Sequence, residues 1–241
     1  DYIRMSDVLE LTAIDSSVVE ATRLLGAQAG RTLDTVMRNV LMGGTNVSYA
    51  SKWSDGTETP VTLRSDLDTT CLLKVDTVRR AVAKLRSQNA PTIDGFYVGI
   101  IHPYAAYDLM KDPEWTDAQK YAGTENLFTG EIGRIAGVRF VQTSEAKVLR
   151  DITCPSIPNS GGAGTSIYYG VFCTLILGAN AYGVTEVEGG GLQTVVKPLG
   201  YGEDPLNQRS SVGWKATKCA RRLVEPYMVR IESASSYAPN A

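Results

Sequence analysis

The feature that most limits what this chain can become is a long amphipathic stripe near its start. Val18, Ala21, Leu25, Ala29, Leu33, Val36 and Val40 recur at helical spacing. Ser17 with Glu20 three positions on has the form of a capping box, and Gly43-Gly44 supplies the left-handed residue that a helix C-terminus favours. The spacing predicts one helix from Ser17 to Met42, with Gly26 and Gly30 weakening its middle enough to bend or break it. A helix with one apolar side is stable only against another layer, which the rest of the chain must supply.

From Thr45 to Thr70 the sequence turns to Ser, Thr, Asp, Gly and Lys, with Val47, Tyr49, Trp53, Val61 and Leu63 as scattered strand formers and Ser54-Asp55-Gly56 as a central turn. This reads as a long, two-stranded, mostly polar hairpin, and so long a polar excursion suggests that it binds something. Val75, Val78, Val82 and Leu85 then predict a helix ending before Ala90-Pro91. Its Arg79, Arg80, Lys84 and Arg86 fit a solvated face with ion pairs better than a DNA-facing strip.

Phe96 to Ile101 reads as a buried strand that leads through His102-Pro103 into a helix containing Tyr107 and Met110. Asp112-Pro113 starts another, closed by Gly123. Ile135 to Thr143 is a half-buried strand and Asp151 to Ser166 a loop. Tyr168 to Leu177, Tyr182 to Glu188 and Leu192 to Lys197 follow as strands, the last two joined tightly through Gly189-Gly190-Gly191, and Trp214 to Leu223 with Tyr227 to Glu232 forms a closing strand pair. No internal repeat is visible. Helix and strand mix without βαβ regularity, so an α+β fold is expected rather than a doubly wound sheet.

At 241 residues the chain can fold by burial alone, without metals or disulfides. Its net charge of −2 lacks the strongly basic balance usual in proteins that grip nucleic acid through many phosphates. The longest apolar run, Val171 to Leu177, is too short to cross a bilayer, and the start Asp-Tyr-Ile-Arg-Met shows no export signal, so no membrane partner is expected. Cys71, Cys154, Cys173 and Cys219 are far apart and read as free thiols of a reducing compartment.

Little in the chain suggests chemistry. The single histidine, His102, sits before a proline at a strand-to-helix junction and reads as a cap or a packed side chain, with no nucleophile pattern beside it. The glycines at 161–164 and 189–191 lack the Lys-Ser/Thr ending of a phosphate loop and read as turns. Glu186 and Glu188 read as a solvent-facing pair. No catalytic, metal-binding or cofactor-binding residue is assigned, no cofactor is expected, and the chain is expected not to be an enzyme.

Several segments, taken together, resemble the major capsid proteins of N-four-like podoviruses and related tailed phages. They include Ser6-Asp7-Val8-Leu9-Glu10-Leu11-Thr12, Gly44-Thr45-Asn46-Val47, Ile101-His102-Pro103, Asp112-Pro113-Glu114-Trp115, and Gly133-Arg134-Ile135-Ala136-Gly137-Val138-Arg139-Phe140. Lys197-Pro198-Leu199-Gly200, Asp204-Pro205-Leu206-Asn207-Gln208-Arg209 and Gly213-Trp214-Lys215-Ala216 continue the match. The resemblance implies the Hong Kong 97 type capsid fold, with a peripheral lobe, an axial lobe and an extended hairpin loop that reaches a neighbouring subunit.

On that basis residues 1–44 are expected to form an N-terminal segment and helix of the peripheral lobe, 45–72 the extended loop, 73–95 the spine helix, 96–200 the axial lobe and 201–241 the return strands and tail. Order in the fold points to Val75–Asn89 as the spine, length to Ser17–Met42; order is followed. Tyr49, Lys52, Trp53 and Asp55 of the loop are the expected contacts with a neighbour. The implied function is a virion shell, assembled in the host bacterial cytoplasm from hexamers and pentamers, enclosing double-stranded DNA without reading its sequence. Portal, scaffold and decoration proteins are the expected partners. The alternative is an encapsulin-like compartment around a cargo enzyme.

Overall fold

The structure, a computed structural model, describes all residues except 13–15, 55, 122–132, 152, 158–166, 169, 187–189, 203 and 238–241. In chain order its elements begin with β1 (Tyr2–Ser6), α1 (Asp7–Thr12), α2 (Ser17–Met42), β2 (Val47–Tyr49), β3 (Lys52–Ser54), β4 (Thr57–Thr59), α3 (Val75–Ser87), β5 (Tyr97–Ile101), α4 (Pro103–Lys111) and α5 (Pro113–Tyr121). Then come β6 (Arg134–Ile135), β7 (Val138–Gln142), β8 (Val148–Leu149), β9 (Ser156–Ile157), β10 (Ile167–Tyr168), β11 (Val171–Leu177), β12 (Tyr182–Glu186), β13 (Gln193–Lys197), β14 (Arg209–Lys215), β15 (Lys218–Arg222) and β16 (Met228–Ser233). Helices and strands are mixed, as the sequence implied. The chain divides into two compact units: Asp1–Met37 with Val184–Arg221, and Arg38–Gly183 with Arg222–Ala241.

In the first unit, β14 lies between β1 and β13 in an antiparallel sheet. Met5, Val212, Ala21 and Leu25 form its small core, with Ile3, Val18 and Trp214 against them. These residues alternate along β1 and β14 and recur at helical spacing on α2, so one face of the sheet meets one side of the helix. α2 is continuous through Gly26 and Gly30, where an added Cβ would meet nothing within 4 Å. The helix does not break there because two isolated glycines cost only about 1 kcal/mol each, less than an anchored helix gains from its core. The expected capping box does not form either. Ser17 Oγ is buried without a partner, and Glu20 instead pairs with Arg23 at 2.6 Å.

The second unit is built on a seven-stranded sheet with the path β2-β16-β11-β5-β7-β6 and β8 joined to β11. All seven residues of β11 are buried, because side chains of both parities are covered. On one face Phe172, Ile176, Val229 and Ile231 meet Val75, Val78, Val82 and Leu85 of α3 and Ala105, Ala106 and Leu109 of α4 in the largest core. On the other, Cys173, Leu175, Leu177 and Met228 meet Leu41 and Met42. The turn between β6 and β7 has φ 53° at Ala136 and 80° at Gly137, the two left-handed residues that a tight hairpin of this kind requires.

Helix starts follow the sequence signals. His102 Nδ1 accepts from the Tyr104 backbone N–H at 3.2 Å, with Pro103 in the first turn. Burial, with a smaller contribution from Arg150, lowers the His102 pKa, and this favours the neutral ring whose nitrogen can accept that bond. Asp112 Oδ1 likewise accepts from Glu114 N–H at 3.2 Å. Gly123, the expected end of α5, lies outside the described residues.

Several expectations need correction. The segment from Thr45 to Thr70 is not one long hairpin. β2 joins β16 in parallel, and only β3 and β4 form a hairpin, of three pairs. β12 pairs with β15 and β13 with β14, so the strands flanking Gly189-Gly190-Gly191 do not pair with each other. β16 lies between β11 and β2 rather than pairing with β15. The chain passes between the compact units at Met37/Arg38, Gly183/Val184 and Arg221/Arg222. α2 has 26 residues and α3 has 13.

Candidate assembly surface

The resemblance to shell subunits directs attention to surfaces that the fold leaves uncovered. The sequence pointed to the polar segment after α2. There Tyr49 lies in β2 opposite Glu232 and packs against a cluster of Ala50, Leu67, Cys71, Cys154 and Val171. Lys52 pairs with Asp68 at 3.0 Å. Trp53 carries Lys74 Nζ over its ring at 3.8 Å, a cation–π contact within the same subunit. Asp55 lies outside the described residues. The hairpin is tied down further by Glu58, which binds Arg80 at 2.6 Å.

A buried ion network anchors this segment to the sheet. Arg64 donates to both oxygens of Glu232, at 2.7 and 2.8 Å, and Arg230 Nε lies 2.9 Å from the same carboxylate. Glu232 is fully buried. Its charge is tolerated there only because two guanidiniums face it, and the hydrogen bonds that Arg64 donates to Glu232 raise the Arg64 pKa further. Arg230 also donates to the Met42 carbonyl, and Arg64 reaches Thr153 Oγ1 at 2.9 Å. Tyr49, Lys52 and Trp53 thus each make contacts within their own chain. The sequence could not reveal this, because the anchoring glutamate is 168 residues from Arg64.

A small local repeat also escaped the sequence reading. Asp68-Thr69-Thr70-Cys71 and Asp151-Ile152-Thr153-Cys154 share the pattern Asp-x-Thr-Cys. In each, the aspartate Oδ1 accepts from the threonine backbone N–H, at 2.8 and 2.9 Å, and from the threonine hydroxyl, at 2.5 Å in both. Each turn delivers its cysteine into the same apolar cluster. Burial pushes the Cys71 thiol up to about 11 and raises Cys154 as well, so these are structural thiols and not nucleophiles. Burial alone would raise the Asp68 carboxyl too. Hydrogen bonds from Thr70 and Lys52 outweigh it and hold the group at about 2.

Of the α3 cations, two form the expected ion pairs, Arg79 with Glu114 at 2.6 Å and Arg80 with Asp76 at 2.8 Å, while Lys84 reaches the Val47 carbonyl at 3.4 Å. Among the described residues no group of His, Cys, Asp and Glu side chains is arranged to hold a metal ion, and no helix is long and apolar enough to cross a membrane.

The unmet surface lies in the first unit. α1 buries none of its residues, and Val8, Leu9 and Leu11 are exposed, Leu11 at 83%. Every residue of β13 is exposed, including Val195 and Val196. Leu199, Tyr201 and Leu206 follow on the connection to β14, with Leu206 at 73% exposure. β1 and β13 each have a neighbour on one side only, so both leave a row of backbone donors and acceptors open. No signal in single residues marks this surface. It becomes visible only once the small core shows which apolar side chains are left out.

A family model described as phage capsid protein matches residues 11–202. No curated protein sequence matches the chain. Among solved structures, the fold is similar to the capsid of Ralstonia phage GP4, with TM-score 0.66 and 14% identity over 98% of this chain and 73% of that one. It is equally similar to the head structure of Helicobacter pylori bacteriophage KHP40, with TM-score 0.66 and 15% identity over 97% and 73%. The holo-SrpI encapsulin complex from Synechococcus elongatus PCC 7942 is more distant, at TM-score 0.55 and 9% identity over 98% and 72%. The fold is thus that of tailed-phage capsids, which an encapsulin shares, and the family match separates the two. The chain belongs to the phage capsid protein family and is a major capsid protein, the subunit of a virion shell.

Proposed function

We propose that copies of this chain join through the apolar surface and open strand edges of the first unit. The observation that carries this reading is the set of exposed side chains Val8, Leu9, Leu11, Val196, Leu199 and Leu206 in a unit whose core cluster, among the described residues, is built on Met5, Ala21, Leu25 and Val212. Contiguous apolar surface of this kind marks an interface, and open strand edges add backbone hydrogen bonds to it. Each joint can be weak, because a closed shell engages many at once.

In this reading the first unit acts as the peripheral lobe, with α2 as its spine, and the second as the axial lobe. Length now outweighs the order argument, since α2 is twice as long as α3. Tyr49, Lys52 and Trp53 serve the fold of their own subunit, and the neighbour contact passes to the first unit. The shell is built of hexamers and pentamers in the host cytoplasm, encloses double-stranded DNA, works with portal, scaffold and decoration proteins, and performs no catalysis. Electron microscopy of the purified chain at raised concentration, with and without scaffold, tests this. Capsomers or closed shells are expected; a strictly monomeric species under all conditions overturns it.

A further inference from the structure

The sheet face of the first unit that points away from α2 carries four cations that form no side-chain ion pair among the described residues; the Asp204 carboxylate accepts from the Arg209 backbone N–H at 2.7 Å. Strand alternation puts Tyr2 and Arg4 of β1, Arg209, Ser211, Gly213 and Lys215 of β14, and Val195 and Lys197 of β13 on that face, since Met5 and Val212 occupy the other. Register aligns Arg4, Ser211 and Lys197 in one row and Tyr2, Gly213 and Val195 in the next. From strand spacing, Arg4 and Lys197 stand ~10 Å apart at the backbone, and Arg209 and Lys215 ~20 Å apart along β14. The centre is low: a Cβ at Gly213 would lie 2.9 Å from Tyr2 Cβ.

All four cations are exposed, and among the described residues none of their side chains meets a carboxylate. Arg4 lies 5.3 Å from the Tyr2 ring and Lys197 5.4 Å from the Tyr201 ring. Asp1, at the end of the hollow, is held by Gln28 and by the Tyr2 backbone N–H. The contrast with α3, whose Arg79 and Arg80 are paired, is sharp. A net charge of −2 thus conceals one face with four unpaired cations.

We propose that this face binds the phosphate backbone of double-stranded DNA, without reading sequence, through Arg4, Lys197, Arg209 and Lys215. The charges are spread over a shallow floor of Ser211 and Gly213, which suits a row of phosphates better than a single buried anion. A joint between copies fits less well, because interface centres are depleted in lysine and this face carries Lys197 and Lys215 beside two arginines. The inference rests on the shell reading only in taking DNA as the enclosed material.

The test is titration of the full, unassembled chain with a random-sequence duplex of ~25 base pairs across a salt series. Four phosphate contacts give a slope of log K against log salt of about −3.5. Neutralising all four cations (R4Q, K197Q, R209Q, K215Q) is expected to weaken binding at least tenfold at low salt and flatten the slope. R4Q and K215Q singly should each reduce the slope by about 1, which keeps the test valid if the fourfold variant fails to fold. R79Q with R80Q removes paired cations and should leave the slope unchanged. A parent chain that does not bind, a fourfold variant that binds as the parent does, or equal losses from R79Q with R80Q overturns the proposal. So does a fourfold variant that stops assembling while binding DNA normally, which would make the face a joint between copies. Failure of the parent to form shells overturns the capsid reading and leaves the titration to stand separately.

Discussion

The two units use apolar residues in opposite ways. In the second, a central strand is buried along its whole length, helices cover one sheet face, and the polar segment after α2 is drawn onto the other by a fully buried carboxylate. In the first, one helix covers part of one face of a three-stranded sheet, and leucines and valines stand in solvent. Burial of a leucine or phenylalanine contributes about 1.5–3 kcal/mol, so the second unit can be stable by itself. The first leaves much of that stabilisation unrealised until another surface covers it. Completion in one unit and incompleteness in the other is what a lattice subunit needs: a rigid body with adhesive surface.

The largest test of this contrast is to replace residues 48–61 with a short Gly-Ser linker. A free, mostly polar hairpin would be dispensable for folding. The structure predicts the opposite, because β2 and the fully buried Ala50 are lost with the segment, so circular dichroism should show an unfolded or molten second unit. A cooperative melt close to the parent's would return the segment to the role of a free arm.

Next in size is Glu232→Ala, which leaves Arg64 and Arg230 facing each other without their carboxylate. Loss of one member of a buried network costs about 3–5 kcal/mol, readable in urea unfolding. A change below about 1 kcal/mol would show that the second unit does not depend on this anchor.

Asp68→Asn is expected to have a smaller, pH-dependent effect. The Asp68 carboxyl is depressed to about 2 in the folded chain, so its stabilisation is present above the ordinary carboxylate range and disappears as pH falls through the folded value. Because the side chain is about a third exposed, the loss at pH 7 should be about 1 kcal/mol or less. Parent and variant should converge near pH 2, and a constant difference at all pH values would contradict the assignment.

The smallest effect on stability belongs to Leu206→Glu in the first unit. The side chain is 73% exposed, so the isolated subunit should change by no more than about 0.5 kcal/mol. Shell formation, followed by light scattering, should nevertheless fail or slow sharply. Normal assembly would remove Leu206 from the joint and narrow the adhesive surface to α1 and β13.

What the sequence disclosed was mostly local. Helix starts at Pro103 and Pro113, the stop after Met42, and the buried run from Val171 to Leu177 all rest on neighbours in the chain, and all are present. Strand partners were not disclosed. Met228 to Ser233 reads equally well beside any strand, and only packing of both sheet faces places it between β11 and β2. The polar character of the segment after α2 misled for the same reason: Arg64 looks solvated until Glu232 is seen opposite it. The cap misled at shorter range, since Glu20 had a competing partner in Arg23. The neutral total charge hid the basic sheet face because acidic residues elsewhere cancel it.

The pairing of β1 with β14 has a consequence in time. Ser6 meets Arg209 and Tyr2 meets Gly213, so the two strands are separated by about 200 residues of chain. At bacterial synthesis rates of roughly 5–20 residues per second, β14 follows β1 by about 10–40 seconds. Until it arrives, the sheet of the first unit has no central strand and its adhesive surface does not exist. The sheet of the first unit therefore matures late, its central strand being made long after the edge strand β1 that waits for it.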